Sequence, residues 1–416
     1  MKKVIQTLYV FAAIILLASC GNSGKKTNEK TLPKDIIKDA TIKPTVNVYI
    51  ENSGSMDGFV KKGNKFTTFV TTYLTNISIL YTDNINLNYI NSKIIPLGNN
   101  LNDFASKLDA YEFNKKGGNR GETNIFQLLD TILKITDSNE IAIFITDGIF
   151  SPGKNKDAQK YIVDQYNGIK KSMADYYKKH PNAAVIIYQL ISEFNGTFYG
   201  RQDKPIPNTK EELPYYVWLI GDSKNLSELI NKVPENKFKE GNGIQNVFSI
   251  TGGPKEVDYA VKMGSGNFDL NKKDPKTTID NLKKVTRDGG CSRSSGKVKF
   301  LVNANLSGFL LSDKYLSDTL NYQMNNKDYS LTISKSVSNN FGYTHQLKFE
   351  SSSVHKGIIS VKLKTQIPPW VEDINDDDGV APVKGKTYGI KYQIYGVYEA
   401  FTISNDYYTE IKIKIN

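Results

Sequence analysis

The chain has 416 residues, 39% of them apolar and 11% aromatic, which is enough to bury sizeable cores in about two domains. Tyr (25) and Phe (19) dominate the aromatics and favour sheets over helix bundles. A formal charge of +11 is scattered along the sequence without a basic-aromatic stripe, which argues against nucleic acid as a partner and for a solvated basic surface.

At the N-terminus, Lys2 and Lys3 precede an apolar run from Leu8 to Ala18, and a small-residue stretch ends at Cys20. That order predicts a secretory signal peptide over residues 1–19. The run is well short of the ~20 residues a membrane-spanning helix needs. The junction Leu17-Ala18-Ser19-Cys20-Gly21 resembles the lipobox of bacterial lipoproteins. The resemblance implies cleavage before Cys20 and acylation of its thiol and new amine by fatty chains such as palmitate, so that several chains share the anchoring. Cys291 is then left without an intramolecular disulfide partner. Residues 20–43 open with Gly21-Asn22-Ser23-Gly24-Lys25-Lys26 and read as a polar tether. No aspartate follows Cys20, and the early acidic cluster that resembles a surface-export signal of the Bacteroidetes lineage is missing. By resemblance, the protein belongs to the cell envelope, on the periplasmic face of the outer membrane.

Val46 to Ile50 is a β-rich run. Phe66, Phe69, Val70, Tyr73, Leu74 and Ile77 then recur at steps of three and four, predicting an amphipathic helix. Ile85–Ile90 and Lys93–Leu97 read as paired strands, and Ile125, Leu128, Leu129, Ile132 and Leu133 mark a second helix. Ile141–Ile145 is continuously apolar, the pattern of a strand buried on both faces. A long helix from about Asp157 to Lys179 follows, then strands at Ala184–Ile191 and Tyr215–Ile220, and a helix at Leu226–Val233. This alternation predicts one α/β domain over 44–235, with a doubly wound, mostly parallel sheet. Residues 236–295 are rich in Gly, Lys, Asn and Asp and read as an irregular linker. Beyond 296, alternation at Ile359, Val361 and Leu363, at Tyr388, Ile390, Tyr392 and Ile394, and at Ile411, Ile413 and Ile415 predicts an all-β, sandwich-like domain over 296–416.

Three pieces of the α/β domain supply small oxygen ligands. Glu51, Ser53 and Ser55 leave the first strand at two-residue spacing, Thr123 precedes a helix, and Asp147 ends the strand run Phe144-Ile145-Thr146-Asp147-Gly148. Ligands of open α/β sheets gather at the carboxyl ends of strands. Hydroxyl and carboxylate oxygens suit a hard cation, Mg²⁺ or else Mn²⁺ or Ca²⁺. In this set, order and spacing, the chain resembles the von Willebrand factor A (VWA) family and its metal-ion-dependent adhesion site, over residues 44–235. The family pattern is Asp-x-Ser-x-Ser, a distant Thr and a Thr-Asp-Gly; Glu51 replaces the first aspartate and is one methylene longer. The resemblance implies a cation held by Glu51, Ser53, Ser55, Thr123 and Asp147, with one open position for a partner carboxylate, and adhesion without catalysis.

A second carboxylate group, Asp373, Asn375 and Asp377, fits the first positions of a calcium loop. Asp378 and Lys384 stand where that loop needs Gly and Glu, so a solvated turn is the better reading. His180, His345 and His355 have no metal-ligand spacing, and there is no Gly-x-Ser-x-Gly, Walker or dinucleotide motif. The expectation is a lipid-anchored, non-enzymatic envelope protein that grips a protein partner through a metal-dependent site. The alternatives are a metal-free scaffold lipoprotein and an envelope hydrolase centred on the β-rich part.

Overall fold

A computed structural model describes residues 43–121, 124–152, 157–201, 204–235, 243–285, 296–336 and 342–416. The signal peptide, Cys20, the tether up to residue 42, Thr123 and Cys291 lie outside the described residues. Strand β1 (Thr45–Glu51) leads through helix α1 (Lys65–Leu80) to β2 (Ile85–Ile90), which turns into β3 (Ile94–Gly98). Short helices α2 (Leu101–Lys107) and α3 (Ala110–Lys115) precede α4 (Ile125–Ile135) and β4 (Glu140–Thr146). Then come α5 (Ala158–Lys179), β5 (Ala183–Tyr199), β6 (Pro205–Asp222), α6 (Ser223–Lys232) and β7 (Asn246–Thr251).

These strands form one seven-stranded sheet in the order β3-β2-β1-β4-β6-β5-β7. Period two explains why its central strands are apolar throughout. Val46, Val48 and Ile50 of β1, with Ile141, Ile143 and Ile145 of β4, enter one core, where Phe66, Val70, Leu74 and Ile77 of α1 cover them. Ala142 and Phe144, with Tyr216 and Trp218 of β6, enter the other, beneath Leu129 and Ile132 of α4 and Ile169 and Met173 of α5. The both-faces-buried pattern expected for β4 is therefore present.

The sheet is mixed, in contrast to the mostly parallel one expected. Only β1–β2 and β1–β4 pair in parallel, while β2–β3, β4–β6, β5–β6 and β5–β7 are antiparallel. The cause is local. Only five residues join β5 to β6, which makes them a hairpin, and parallel neighbours need a crossover of a dozen residues or more. It is accordingly β6 that lies beside β4.

The stretch 236–295, expected to be irregular, supplies strands where it is described: β7 at the sheet edge, then β8 (Tyr259–Val261), β9 (Asn267–Leu270) and β10 (Thr278–Lys283). Beyond them lie β11 (Val298–Ala304), α7 (Asp313–Ser317), β12 (Tyr322–Met324), β13 (Ser330–Lys335), β14 (His345–Ser351) and β15 (Gly357–Lys364). The chain ends with α8 (Trp370–Asp373), β16 (Asn375–Asp376), β17 (Thr387–Tyr388), α9 (Ile390–Thr402) and β18 (Tyr407–Ile415). A five-stranded sheet, β12-β15-β18-β10-β9, and a four-stranded one, β13-β14-β11-β8, follow the first.

One expected strand is a helix. Tyr388, Ile390, Tyr392 and Ile394 alternate, but the buried set Ile390, Gln393, Ile394, Val397, Ala400 and Phe401 recurs at three and four, and it forms α9. Its apolar face joins the same core as α4 and α5, so one hydrophobic cluster runs from Tyr49 to Ile415. Among the described residues no helix is long and apolar enough to cross a membrane.

Candidate functional site

The carboxyl ends of β1 and β4 are neighbours, since Ile50 pairs with Ile145. Past Glu51 the chain leaves the strand for a 3-10 turn over Gly54–Gly58. The Ser53 and Ser55 hydroxyls therefore meet across a turn, at 2.9 Å, and not along one strand face. Ser53 is buried and Ser55 half-buried, so the pair opens outward at Ser55.

On the β4 side, Asp147 is 1% exposed. Its Oδ1 accepts the Ile149 N–H at 3.0 Å, whereas its buried Oδ2 has no hydrogen-bond partner. Burial pushes the Asp147 carboxyl above the usual carboxylate range, and the Ser55 hydroxyl and the Ile149 N–H lower it only in part. Ser55 thus links Ser53, 2.9 Å away, to the Asp147 carboxyl.

Glu51, also 1% exposed, turns toward β4, where its Oε2 accepts the Thr146 hydroxyl. Thr146 Oγ1 in turn accepts the Gly148 N–H at 2.9 Å. The extra methylene carries this carboxylate into a bond with β4, and hydrogen bonds to charged groups contribute roughly 1.5–3 kcal/mol. Thr123 cannot be placed, since it lies outside the described residues; Asn124 just after it caps α4 by accepting the Gln127 N–H at 3.0 Å.

Several residues that hold the site carry no motif. Arg120 donates from Nε to the Asn52 carbonyl at 2.7 Å and from Nη2 to the Ser53 carbonyl at 3.2 Å, and its guanidinium pairs with Asp57. The Arg120 carbonyl accepts the Gly54 N–H at 3.0 Å. One side chain therefore clamps the turn that presents both serines. Beneath it, buried Asn91 donates to Asn52 Oδ1 at 2.8 Å and to the Gly117 carbonyl at 3.0 Å. The available signal was the glycine-flanked run Gly117-Gly118-Asn119-Arg120-Gly121 just ahead of Thr123, which places a backbone turn and a guanidinium there together.

From the C-terminal part, buried Gln393 on α9 donates to the Gly148 carbonyl at 2.6 Å. Gly148 itself sits at φ +68°, and a Cβ there would lie 2.9 Å from the Tyr216 ring. Gly148→Ala is therefore expected to destabilise the fold by about 1–3 kcal/mol through left-handed strain and crowding, visible as a lowered thermal midpoint.

The second expected metal group is arranged otherwise. Asn375 Nδ2 donates to Asp377 Oδ1 at 2.9 Å, and Lys391 pairs with the same oxygen at 3.0 Å. The Gly379 and Asp378 N–H groups donate to Asp376, and Asp373 is exposed on α8. Amides and an ammonium hold these oxygens, as in a solvated turn. Nearby, Lys384 and Lys65 flank Glu212 at 2.8 and 3.0 Å and hold its carboxyl down to about 2. That contribution is present above the unfolded value, about 4.3, and is lost as pH falls toward the folded one. Glu212→Gln is expected to lower the thermal midpoint slightly at pH 7 in low salt and not at pH 2.

Among the described residues no three His, Cys, Asp or Glu gather to hold a metal, so a cation at this site would depend on hydroxyl ligands. Compared with known proteins, the sequence matches no family model and no curated protein.

Proposed function

We propose that this is a lipid-anchored envelope binding protein whose VWA-like part holds a protein partner through a divalent cation, Mg²⁺ before Mn²⁺ or Ca²⁺. The observation that carries the reading is the buried Asp147 Oδ2, without a hydrogen-bond partner, beside the Ser53–Ser55 hydroxyl pair. A buried carboxylate oxygen left unbonded costs about 1–3 kcal/mol or more, and a hard cation offsets that cost. The donor set fits: two neutral hydroxyls leave a bound cation with net positive charge to share with a partner carboxylate. Ser53, Ser55 and Asp147 would hold it, with Thr123 in support and Glu51 acting through Thr146. The cation supplies a charge-assisted link, and the chain's own part is to fix the turn through Arg120 and keep water from Asp147. The β-rich C-terminal part, whose α9 shares the core of α4 and α5, serves as a support for the site or a second face. Residues 1–19 would direct export and Cys20 carry the lipid, on the periplasmic face of the outer membrane.

Cross-linking of the intact chain in its own envelope, with and without chelator, tests this. The reading expects a cross-linked partner that disappears with chelator and in Asp147→Ala. A metal-free scaffold is the second reading, favoured by the internal bond between Glu51 and Thr146. It expects the same cross-link under all three conditions.

A further inference from the structure

A separate cavity of about 460 Å³ opens between α6, β7 and the segment that carries α7. That volume falls within the range of small-molecule sites, roughly 300–1,000 Å³. On one wall, Ser249 of β7 donates to the Leu310 carbonyl at 2.7 Å. Leu310 holds φ +57°, a left-handed conformation that a branched side chain adopts only where its surroundings enforce it. Half-buried Tyr315 adds ring surface while Tyr408 is 2% exposed, and both hydroxyls are already engaged, with the Lys364 carbonyl at 2.8 Å and the Ser249 carbonyl at 3.2 Å. The Tyr315 ring therefore offers apolar area.

Another wall is polar. His345, 1% exposed, starts β14 opposite Lys335 at the end of β13. Its Nδ1 lies 3.0 Å from the Thr344 hydroxyl, and its buried Nε2 has no hydrogen-bond partner. Asp313 Oδ1 stands 4.0 Å from that nitrogen, too far for a hydrogen bond, and Lys335 pairs with the other Asp313 oxygen at 2.5 Å. With the Thr344 hydroxyl donating to Nδ1 at 3.0 Å in place of its 3.5 Å contact to the Ala304 carbonyl, the ring proton sits on Nε2 and is free to donate. An N–H donor and a carboxylate acceptor thus stand 4.0 Å apart, and with a small shift of the exposed Asp313 side chain one hydroxyl would sit between them, accepting from His345 and donating to Asp313.

Lys335 offsets Asp313, burial holds His345 toward its neutral form, and Glu235 is a further carboxylate on the lining, so the pocket disfavours an anionic ligand. We propose that this cavity binds a small neutral polyol of sugar size, with one hydroxyl between His345 Nε2 and Asp313 Oδ1 and its carbon face against Tyr315. The proposal is independent of the cation site.

The test is saturation-transfer NMR on the full chain, with glucose, galactose, N-acetylglucosamine and myo-inositol as probes at millimolar concentration. Indole and glucose 6-phosphate serve as apolar and anionic comparisons. At least one neutral polyol is expected to bind saturably and to weaken about tenfold or more in Asp313→Ala, as loss of a charge-assisted hydrogen bond implies. Asp313 is 56% exposed, so the variant is expected to keep its fold, which circular dichroism checks. His345→Phe should abolish binding. Transfer from none of the four polyols, equal affinity in Asp313→Ala, or stronger binding of indole or glucose 6-phosphate would overturn the assignment.

Discussion

Asp147→Asn is expected to make the chelated protein more stable than wild type by about 1–3 kcal/mol, and to abolish stabilisation by Mg²⁺. The reason is the buried Oδ2 without a partner, whose charge the amide removes while keeping the shape. Wild type, in contrast, gains about 2.7 kcal/mol when Mg²⁺ is a hundredfold above its dissociation constant. The order of thermal midpoints should therefore reverse between chelator and excess cation. A pH signature accompanies it. Because burial raises the folded Asp147 pKa, the native state keeps a proton that the unfolded chain sheds near 3.9. Without cation, stability falls as pH rises from that value through the folded one, and the asparagine variant lacks this fall. A chelated variant less stable than chelated wild type would instead mean that Asp147 is satisfied from within.

Arg120→Ala is expected to cost about 2–4 kcal/mol and to weaken cation binding together with stability. The guanidinium, 16% exposed, holds two carbonyls and pairs with Asp57. Its loss leaves Asp57, whose pKa partial burial already raises, without its counter-charge. The figure lies below that of a fully buried pair because Asp57 remains 30% exposed. Asp57→Asn in the same chain should recover part of the stability but little of the cation affinity, because the turn remains unclamped. Arg120→Lys should fail to restore either, since an ammonium cannot reproduce the planar fork that reaches both carbonyls. Urea unfolding and Mg²⁺ titration of the three variants separate the two effects.

What could be read from the sequence follows from range. β1, β4 and α4 are legible because their apolar residues report burial directly: a near-continuous apolar run on a strand covered on both faces, and steps of three and four on a helix. The junctions of Ser53, Ser55 and Asp147 are legible because strand ends in an α/β sheet converge. Arg120 and Gln393 are not, since their partners lie 68 and 245 residues away and only the folded chain brings them together. Gln393 also interrupts the apolar stripe of α9, which let its tyrosines and isoleucines pass for an alternating strand. β8 and β9 are three and four residues long and only half covered, too short to show a period. The far halves of β5 and β6 are polar at Glu193, Asn195, Lys210 and Glu211, because there the hairpin pairs beyond the main sheet.

The most direct measurement is a calorimetric titration of Mg²⁺, Mn²⁺ and Ca²⁺ into residues 25–416, run beside Asp147→Ala. The proposed site predicts one saturable cation per chain, absent from the variant while its fold persists. Binding that survives unchanged in Asp147→Ala, or no binding of any of the three ions by the folded wild-type protein, would contradict it.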